Sequence, residues 1–427
     1  SHFLIKMPKQ LDKLLQQLIT LHPKYIDLSL NRLLELLQKI DNPHLKLPPI
    51  IHIAGTNGKG STLSYLRHIM MENKFLVHAY ISPHLKSFNE RIILANKEVV
   101  TSKLLKNLQY IKKINNDNPI TFFEITTAVA FYLFSKQKAD FLILETGLGG
   151  RLDATNVVKN SLINIITPID IDHQEYLGKN IIKITNEKLG IVKKNSNIII
   201  GKQKKIITSY IKEKIKKKKN TKLFYGKQFK IMKTNSKKFT LRYKKIHYSI
   251  NNPNLLGNHQ IENASLAVAA ILRLNELGYN FSNRIINQGI FKTKWAGRLE
   301  KGQLNNIPVY LDGAHNPGGA IQLLKFFQKQ KNKCWLIFGM LNNKDLLSYL
   351  KIIKPITLGV IAIKIKGEKN SFTPQQISMN CSKLNIACFE KKSIKDANNF
   401  LTTKVMPKNI LICGSLYLVG KIRYLYL

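Results

Sequence analysis

Three glycines and a lysine, Gly55, Gly58, Gly60 and Lys59, stand between the apolar run Ile50-Ile51-His52-Ile53-Ala54 and a helix-like segment opening with Ser61-Thr62. Glycines let a backbone turn tightly and bring its N–H groups close to an anion, and Lys59 adds a full positive charge. A helix starting at Ser61 aims the positive end of its dipole at the same point. The chemistry this spacing serves is the cradling of a polyphosphate, with Asn57, Gly58, Lys59, Gly60 and Ser61 as the contacts. The general spelling G-x-x-x-x-G-K-[ST] is broken twice, by Ile53 at the first glycine and by Gly60 after the lysine. The generic rule therefore leaves open a plain glycine-rich turn with a solvated lysine.

A nucleoside triphosphate at Lys59 needs a divalent cation to offset its charge, and three candidate ligands stand at the exits of apolar runs. Ser82 follows residues 75–81, Glu145 ends Phe141-Leu142-Ile143-Leu144, and His173 follows residues 162–166 by a short loop. Each has an ordinary reading, as a helix cap before Pro83, an exposed strand terminus and a satisfied loop histidine. Their joint position favours ligation, because a parallel sheet gathers its C-terminal strand ends at one crevice.

The elements that must position these groups are legible as periodicity. Leu11, Leu14, Leu15 and Leu18 have helical spacing, and a second helix runs to about Ile40. Helices are expected over 104–114 and from Thr121 to about Phe134, and Glu187 and Lys188 sit at a helix end. Residues 198–252 read as a small antiparallel flank, with Phe239-Thr240-Leu241-Arg242-Tyr243 as its clearest strand. After Trp295-Ala296-Gly297-Arg298-Leu299-Glu300 the alternation of strand and helix restarts, with strands at 309–311, 334–338, 360–365, 386–389 and 410–413. The expected architecture is two α/β domains with mostly parallel sheets: residues 1–294, a linker at 295–300, and residues 301–427 as a Rossmann-like domain.

Composition bounds the class. With 427 residues, 44% of them hydrophobic, the chain can build two or three full cores. No apolar run reaches the roughly 18 residues of a membrane span and no signal peptide is legible, which predicts a soluble cytoplasmic protein without a membrane partner. Cys334, Cys381, Cys388 and Cys413 lack metal or disulfide-framework spacing and read as reduced core residues. A net charge of +43 suggests nucleic acid, but only nine of the 68 basic residues are arginines, and the lysines are dispersed among asparagines and isoleucines. Base reading and phosphate clamping favour arginine forks and stacked aromatics, so we read a compositional drift on solvated faces and no nucleic-acid partner.

The spelling Gly55-Thr56-Asn57-Gly58-Lys59-Gly60-Ser61 resembles the phosphate loop of the Mur ligase superfamily, in its folylpolyglutamate synthase and dihydrofolate synthase branch. Further matching segments follow in the branch's order. They are Ser82-Pro83-His84, Thr121-Phe122-Phe123-Glu124, residues 144–156, Asp172-His173, Glu187-Lys188, His259 with Asn263, Gly297-Arg298, Asp312 with Ala314-His315-Asn316-Pro317, and Cys413-Gly414-Ser415. The run Gly147-Leu148-Gly149-Gly150-Arg151-Leu152-Asp153-Ala154-Thr155-Asn156 is the most specific.

The resemblance implies a monomeric ATP-dependent ligase of folate biosynthesis that joins L-glutamate to dihydropteroate and to reduced folates through an acyl phosphate. It implies two Mg2+ sites, one at Ser82 and Glu145 and one at His173, with Lys59, Lys188, His173 and His315 at catalytic positions. Lys188 matches a lysine carbamylated by carbon dioxide in this family. Asn263, Arg298 and Asp312 would meet adenine, phosphate and ribose, in a cleft between domains. Thr121, Phe122, Phe123, Glu124, Leu152, Asp153 and Ala154 match pterin-binding segments, where a phenylalanine can stack on a flat ring and Asp153 can accept N–H donors. One of the two phenylalanines is expected to be plain core. The alternatives are a folylpolyglutamate synthase only, or a Mur-type cell-wall peptide ligase. The latter would carry a whole domain ahead of the loop, where this sequence has 54 residues.

Overall fold

The computed structural model describes residues 2–427, with side chains from residue 9 onward. Two compact units emerge: one comprises residues up to Ile169 together with Asn180–Asn252 and Asn263–Lys292, the other Asp170–Lys179, Pro253–Glu262 and Thr293–Leu427.

The first unit is built on eight strands: β1 (Ile50–Ala54), β2 (Val77–Tyr80), β3 (Ile92–Leu94), β4 (Lys97–Glu98), β5 (Phe141–Glu145), β6 (Ile163–Ile166), β7 (Asn197–Ile200) and β8 (Thr221–Phe224). Their order in the sheet is β4-β3-β2-β5-β1-β6-β7-β8. The six strands from β2 to β8 in that order are parallel, while β3 and β4 add an antiparallel hairpin at one edge. Every residue of β1, β5, β6 and β7 is buried, which is why these strands read as unbroken apolar runs: helices cover both faces. Strand β1 lies between β5 and β6, and the chain leaves it directly into the glycine-rich loop.

Local chemistry sets the helices. Asn31–Lys39 buries the stripe Leu33, Leu36 and Leu37. Phe122–Lys136 opens with a reciprocal capping box, Thr121 Oγ1 accepting from Glu124 N–H and the Glu124 carboxylate accepting from Thr121 N–H. Asn180 caps Ile181–Leu189 by accepting from Ile182 N–H at 2.9 Å and Lys183 N–H at 3.2 Å. Leu33, Leu36, Leu104, Leu108, Phe131 and Phe134 meet in one core cluster against the sheet.

The expected antiparallel flank over 198–252 is corrected in its extent. β7 and β8 continue the parallel sheet, joined by the helix Lys205–Ile215, and only β9 (Phe229–Thr234), β10 (Lys238–Tyr243) and β11 (Ile246–Asn251) form an antiparallel sheet. The run Asn197-Ile198-Ile199-Ile200 has no alternation because it is buried on both faces, which is the signature of a parallel strand.

The second unit carries β12 (Glu300–Leu304), β13 (Ile307–Leu311), β14 (Cys334–Phe338), β15 (Thr357–Ala362), β16 (Cys388–Glu390) and β17 (Ile410–Cys413), ordered β12-β13-β17-β14-β15-β16. All neighbours are parallel except β12 with β13. Cys334, Cys381 and Cys413 are buried free thiols and Cys388 is half-buried. Among the described residues no helix is long and apolar enough to cross a membrane.

Candidate active site

The glycine-rich loop is held by its own backbone. Thr56 and Asn57 N–H groups donate to the Pro168 carbonyl at 3.0 and 3.1 Å, pinning the loop to the exit of β6. Gly55 has φ +149° and a Cβ there would overlap the Thr167 hydroxyl, while Gly58 has φ +86° and precedes the helix Lys59–Glu72. Both positions are closed to other residues, by crowding at the first and a left-handed backbone at the second. Lys59 Nζ folds back onto the Gly55 carbonyl at 3.2 Å. The Asn263 amide packs against Gly58 and is 4% exposed. Its place is thus at the phosphate loop.

Sheet register brings the candidate metal ligands of this unit to that loop. Ile53 pairs with Glu145 and Tyr80 with Leu144, so β1, β2 and β5 end at one edge. Ser82 N–H donates to Glu145 Oε2 at 3.1 Å, and Ser82 Oγ is buried without a protein partner. A hydroxyl oxygen left free beside a carboxylate is a hard donor set suited to Mg2+, and burying it unused is costly. These two residues fit a divalent cation. His173 belongs to the second unit, at the left-handed turn (φ 51°) before the helix Gln174–Leu177.

Lys188 lies in the last turn of the helix Ile181–Leu189 and is 5% exposed, the one buried lysine among the described residues. Its Nζ donates to the Gly55 carbonyl at 2.8 Å, which brings it to the first glycine of the phosphate loop. The helix end is fixed by Arg151, whose N–H donates to the Glu187 carbonyl at 2.8 Å and whose Nε donates to the Glu187 carboxylate at 2.9 Å.

Of the pterin candidates, two have structural occupations. Glu124 is 3% exposed, and besides its capping box it accepts from Arg32 Nε at 3.1 Å and Nη2 at 2.9 Å. Phe122 is a core residue at 7% exposure, stacked on Tyr25 with centroids 6.0 Å apart. Phe123 is the half-buried one of the pair; it stacks on Tyr80 and roofs Gly147, where a Cβ would lie 2.6 Å from its ring. Asp153 is buried, its Oδ2 accepting from Leu148 N–H at 2.8 Å and its Oδ1 from Thr155 N–H at 3.0 Å and Thr155 Oγ1 at 2.5 Å. Burial pushes its carboxyl up from the ordinary value while these donors pull it down. Thr121 and Ala154 are buried and Leu152 is half-buried.

The second unit gathers its own polar cluster around Asp172, to which the sequence assigned no role. Asp172 Oδ1 accepts from Lys344 Nζ at 2.7 Å and from His173 N–H at 2.8 Å, and its Oδ2 accepts from Asn316 Nδ2 at 3.2 Å. His315 Nε2 and His173 Nε2 stand 3.7 and 3.8 Å from Oδ2. Burial opposes ionisation of Asp172, but the facing histidines and Lys344 outweigh it and hold the carboxyl well below its ordinary value. His315 Nδ1 donates to the Gly313 carbonyl at 2.9 Å, which orients Nε2 toward Asp172. Asp312, 5% exposed, accepts from Leu299 N–H at 2.9 Å and Ala314 N–H at 2.7 Å, and Arg298 Nη1 donates to the Gly297 carbonyl at 3.3 Å. Lys344 was missed because one lysine among so many gives no signal; the neighbouring Asp172-His173 pair was the only clue.

A central parallel strand running into a phosphate loop, with a buried lysine and a hydroxyl–carboxylate pair at the same edge, defines a nucleotide-binding α/β domain joined to a second α/β unit. The profile of the Mur ligase middle domain matches residues 53–271, and that of the dihydrofolate synthetase C-terminal domain matches 297–426. The dihydrofolate synthase/folylpolyglutamate synthase of Bacillus subtilis is 30% identical over 411 residues, covering 92% of this chain and 94% of its own. The structure of E. coli FolC in complex with DHPP and ADP superposes with TM-score 0.87 at 27% identity, covering 97% of each chain. A bifunctional folylpolyglutamate synthase/dihydrofolate synthase with Mn, AMPPNP and L-glutamate bound superposes with TM-score 0.85 at 26% identity, again over 97% of each chain. The chain belongs to the dihydrofolate synthase/folylpolyglutamate synthase family of Mur-type ligases.

Proposed function

We propose that this protein is an ATP-dependent ligase that adds L-glutamate to dihydropteroate, giving dihydrofolate, and to reduced folates, giving folylpolyglutamates. The observation that carries the reading is the shared edge of β1 and β5, where the phosphate loop, the buried Lys188 and the Ser82–Glu145 pair meet. Relatives matched over nearly the whole chain hold ADP with DHPP, or AMPPNP with L-glutamate, which supports the same substrates here.

The carboxylate of the pterin substrate attacks the γ-phosphorus of ATP, the bond to the bridging oxygen breaks, and ADP leaves. The acyl phosphate so formed is attacked at carbon by the glutamate amine, which loses a proton as phosphate departs. Lys59 and the Gly58 and Gly60 amides hold the β- and γ-phosphates, whose negative charge persists throughout, so positioning and charge stabilisation are the protein's main contribution. Ser82 and Glu145 would hold one Mg2+ and His173 a second; the ion offsets phosphate charge when bound. Lys188 is read as carbamylated, which converts a cation into a carboxylate-like ligand. Asn263, Arg298 and Asp312 are read as adenine, phosphate and ribose contacts, and His315 as a catalytic group oriented by Asp172. Phe123, Asp153, Leu152, Ala154 and Thr121 remain the pterin contacts, whereas Phe122 is packed in the core and Glu124 is engaged by Arg32 and the Thr121 N–H. On this reading the protein is a cytoplasmic monomer whose residues 301–427 serve the glutamate step.

Phosphate release from ATP, measured with dihydropteroate, tetrahydrofolate and glutamate supplied in turn, tests the proposal. Release is expected only when a pterin acid and glutamate are both present. Activity with tetrahydrofolate but none with dihydropteroate would leave the folylpolyglutamate synthase half alone standing.

A further inference from the structure

Strand β1 carries a buried imidazole that the reaction scheme above leaves unused. His52 is 0% exposed, and its Nε2 lies 2.8 Å from Thr155 Oγ1. The same Oγ1 donates its only proton across 2.5 Å to Asp153 Oδ1, the oxygen that also accepts from Thr155 N–H. Thr155 Oγ1 therefore accepts from His52, which places the His52 proton on Nε2. His52 Nδ1 is then a bare lone pair, and it is buried with no protein partner. Burial first, then the charge of Lys193, pushes the His52 pKa down to about 3, so the ring stays neutral and the donor direction is fixed across the working pH range.

We infer that His52 is a positioning residue for Asp153, acting through Thr155 to decide which carboxylate oxygen is left for a pterin N–H donor. Oδ1 takes two donors from Thr155, whereas Oδ2 takes the Leu148 N–H, and the Gly147 N–H also favours the charged carboxylate. The direction of the chain is what matters: a donor at His52 forces a donor at Thr155, and that saturates Oδ1. His52 also stands two residues before Ala54, where β1 gives way to the phosphate loop. One strand thus sets both the loop that holds the γ-phosphate and the acid that holds the pterin. The inference rests on the proposed contact between Asp153 and dihydropteroate.

The experiment compares KM and kcat for dihydropteroate, tetrahydrofolate and ATP in His52→Leu, His52→Gln, Thr155→Val, Thr155→Ser and Asp153→Ala. His52→Leu and Thr155→Val should each raise KM for dihydropteroate about tenfold, the scale of one buried hydrogen bond to a charged network, and shift KM for ATP by less than about twofold. His52→Gln, which can place an amide donor near Nε2, and Thr155→Ser should recover most of the loss. The double variant His52→Leu/Thr155→Val should be no worse than either single, since both break one chain. If Asp153→Ala is selective against dihydropteroate while His52→Leu behaves as wild type or lowers every activity together with the melting temperature, the positioning role is overturned and the pterin contact stands. If Asp153→Ala shows no selectivity, the contact beneath the inference fails and the inference with it. Nitrogen-15 spectra of histidine-labelled wild-type protein give a check that needs no variant to fold: a neutral histidine protonated at Nε2 down to acid pH is expected, and the absence of any such signal overturns the assignment.

Discussion

Lys188 Nζ donates to the Gly55 carbonyl across 2.8 Å, although the two residues lie 133 positions apart in the chain. A buried ammonium is costly unless a partner justifies it, and here the partner is the first glycine of the phosphate loop. Lys188→Ala is expected to lose about a hundredfold or more in ligase rate, as when a transition-state charge stabiliser is removed. A short added carboxylic acid should restore part of it by standing in for the carbamate. Carbon-13 bicarbonate should give a carbamate signal in wild type that vanishes in the variant; a fully active Lys188→Ala would reduce this residue to packing.

Lys59 opens the helix Lys59–Glu72, half-buried, and its side chain donates to the Gly55 carbonyl. Its loss removes charge at the phosphates and little packing. Lys59→Ala should reduce kcat by about 10²- to 10³-fold while the melting temperature moves by about 2 °C or less. Near-normal product formation in single-turnover assays would refute the phosphate-loop assignment.

The Lys344–Asp172 pair is nearly closed to solvent, with side-chain exposures of 9% and 10%. Removing one partner of such a pair leaves the other charge poorly compensated, so Lys344→Met is expected to lower the unfolding free energy by about 3 kcal/mol. The double variant Asp172→Asn/Lys344→Met should regain part of that loss. Additive losses in the double-mutant cycle would show that the two residues do not act as a pair. The Asp172 carboxyl is held below its unfolded value, so its contribution is complete above that value and lost only as pH falls beneath it.

His52 and His84 are each pushed down to about 3, in both cases by burial first and then by a nearby cation, Lys193 or Arg91. The unfolded chain takes up these protons near pH 6.5 and the folded chain does not, so it binds more protons between about pH 6.5 and 3. Stability should therefore fall as pH drops through that window. Urea unfolding at pH 7, 5.5 and 4.5 should show the decline, and His52→Gln should flatten it by one histidine's share. Measurement in high salt separates this uptake from repulsion within a chain of net charge +43, because salt screens the latter and not the former. A pH-independent midpoint in salt would mean these rings are accessible to protons in the folded state.

What the sequence determined by itself is whatever a few adjacent residues dictate. The glycines at 55 and 58 announce backbone geometry that other residues cannot take, the Thr121–Glu124 capping box announces a helix start, and unbroken apolar runs announce β1, β5 and β6. Family resemblance extended that to Lys188, a residue for which spacing alone gave nothing. Tertiary structure decided the rest, because it alone brings distant residues into contact. It enlarged the parallel sheet through β7 and β8, and added β12, whose Glu-Lys-Gly-Gln-Leu sequence has little strand propensity and forms by pairing with β13 at an edge. It moved Phe122 into the core and left Phe123 half-exposed, a distinction invisible in two identical neighbours. It turned Asp172 into a centre for Lys344, Asn316 and two histidines, and gave His52 a partner 103 positions away. Hydrogen bonds and ion pairs depend on separations of about 3 Å that no local pattern encodes, and only the folded sheets set those distances.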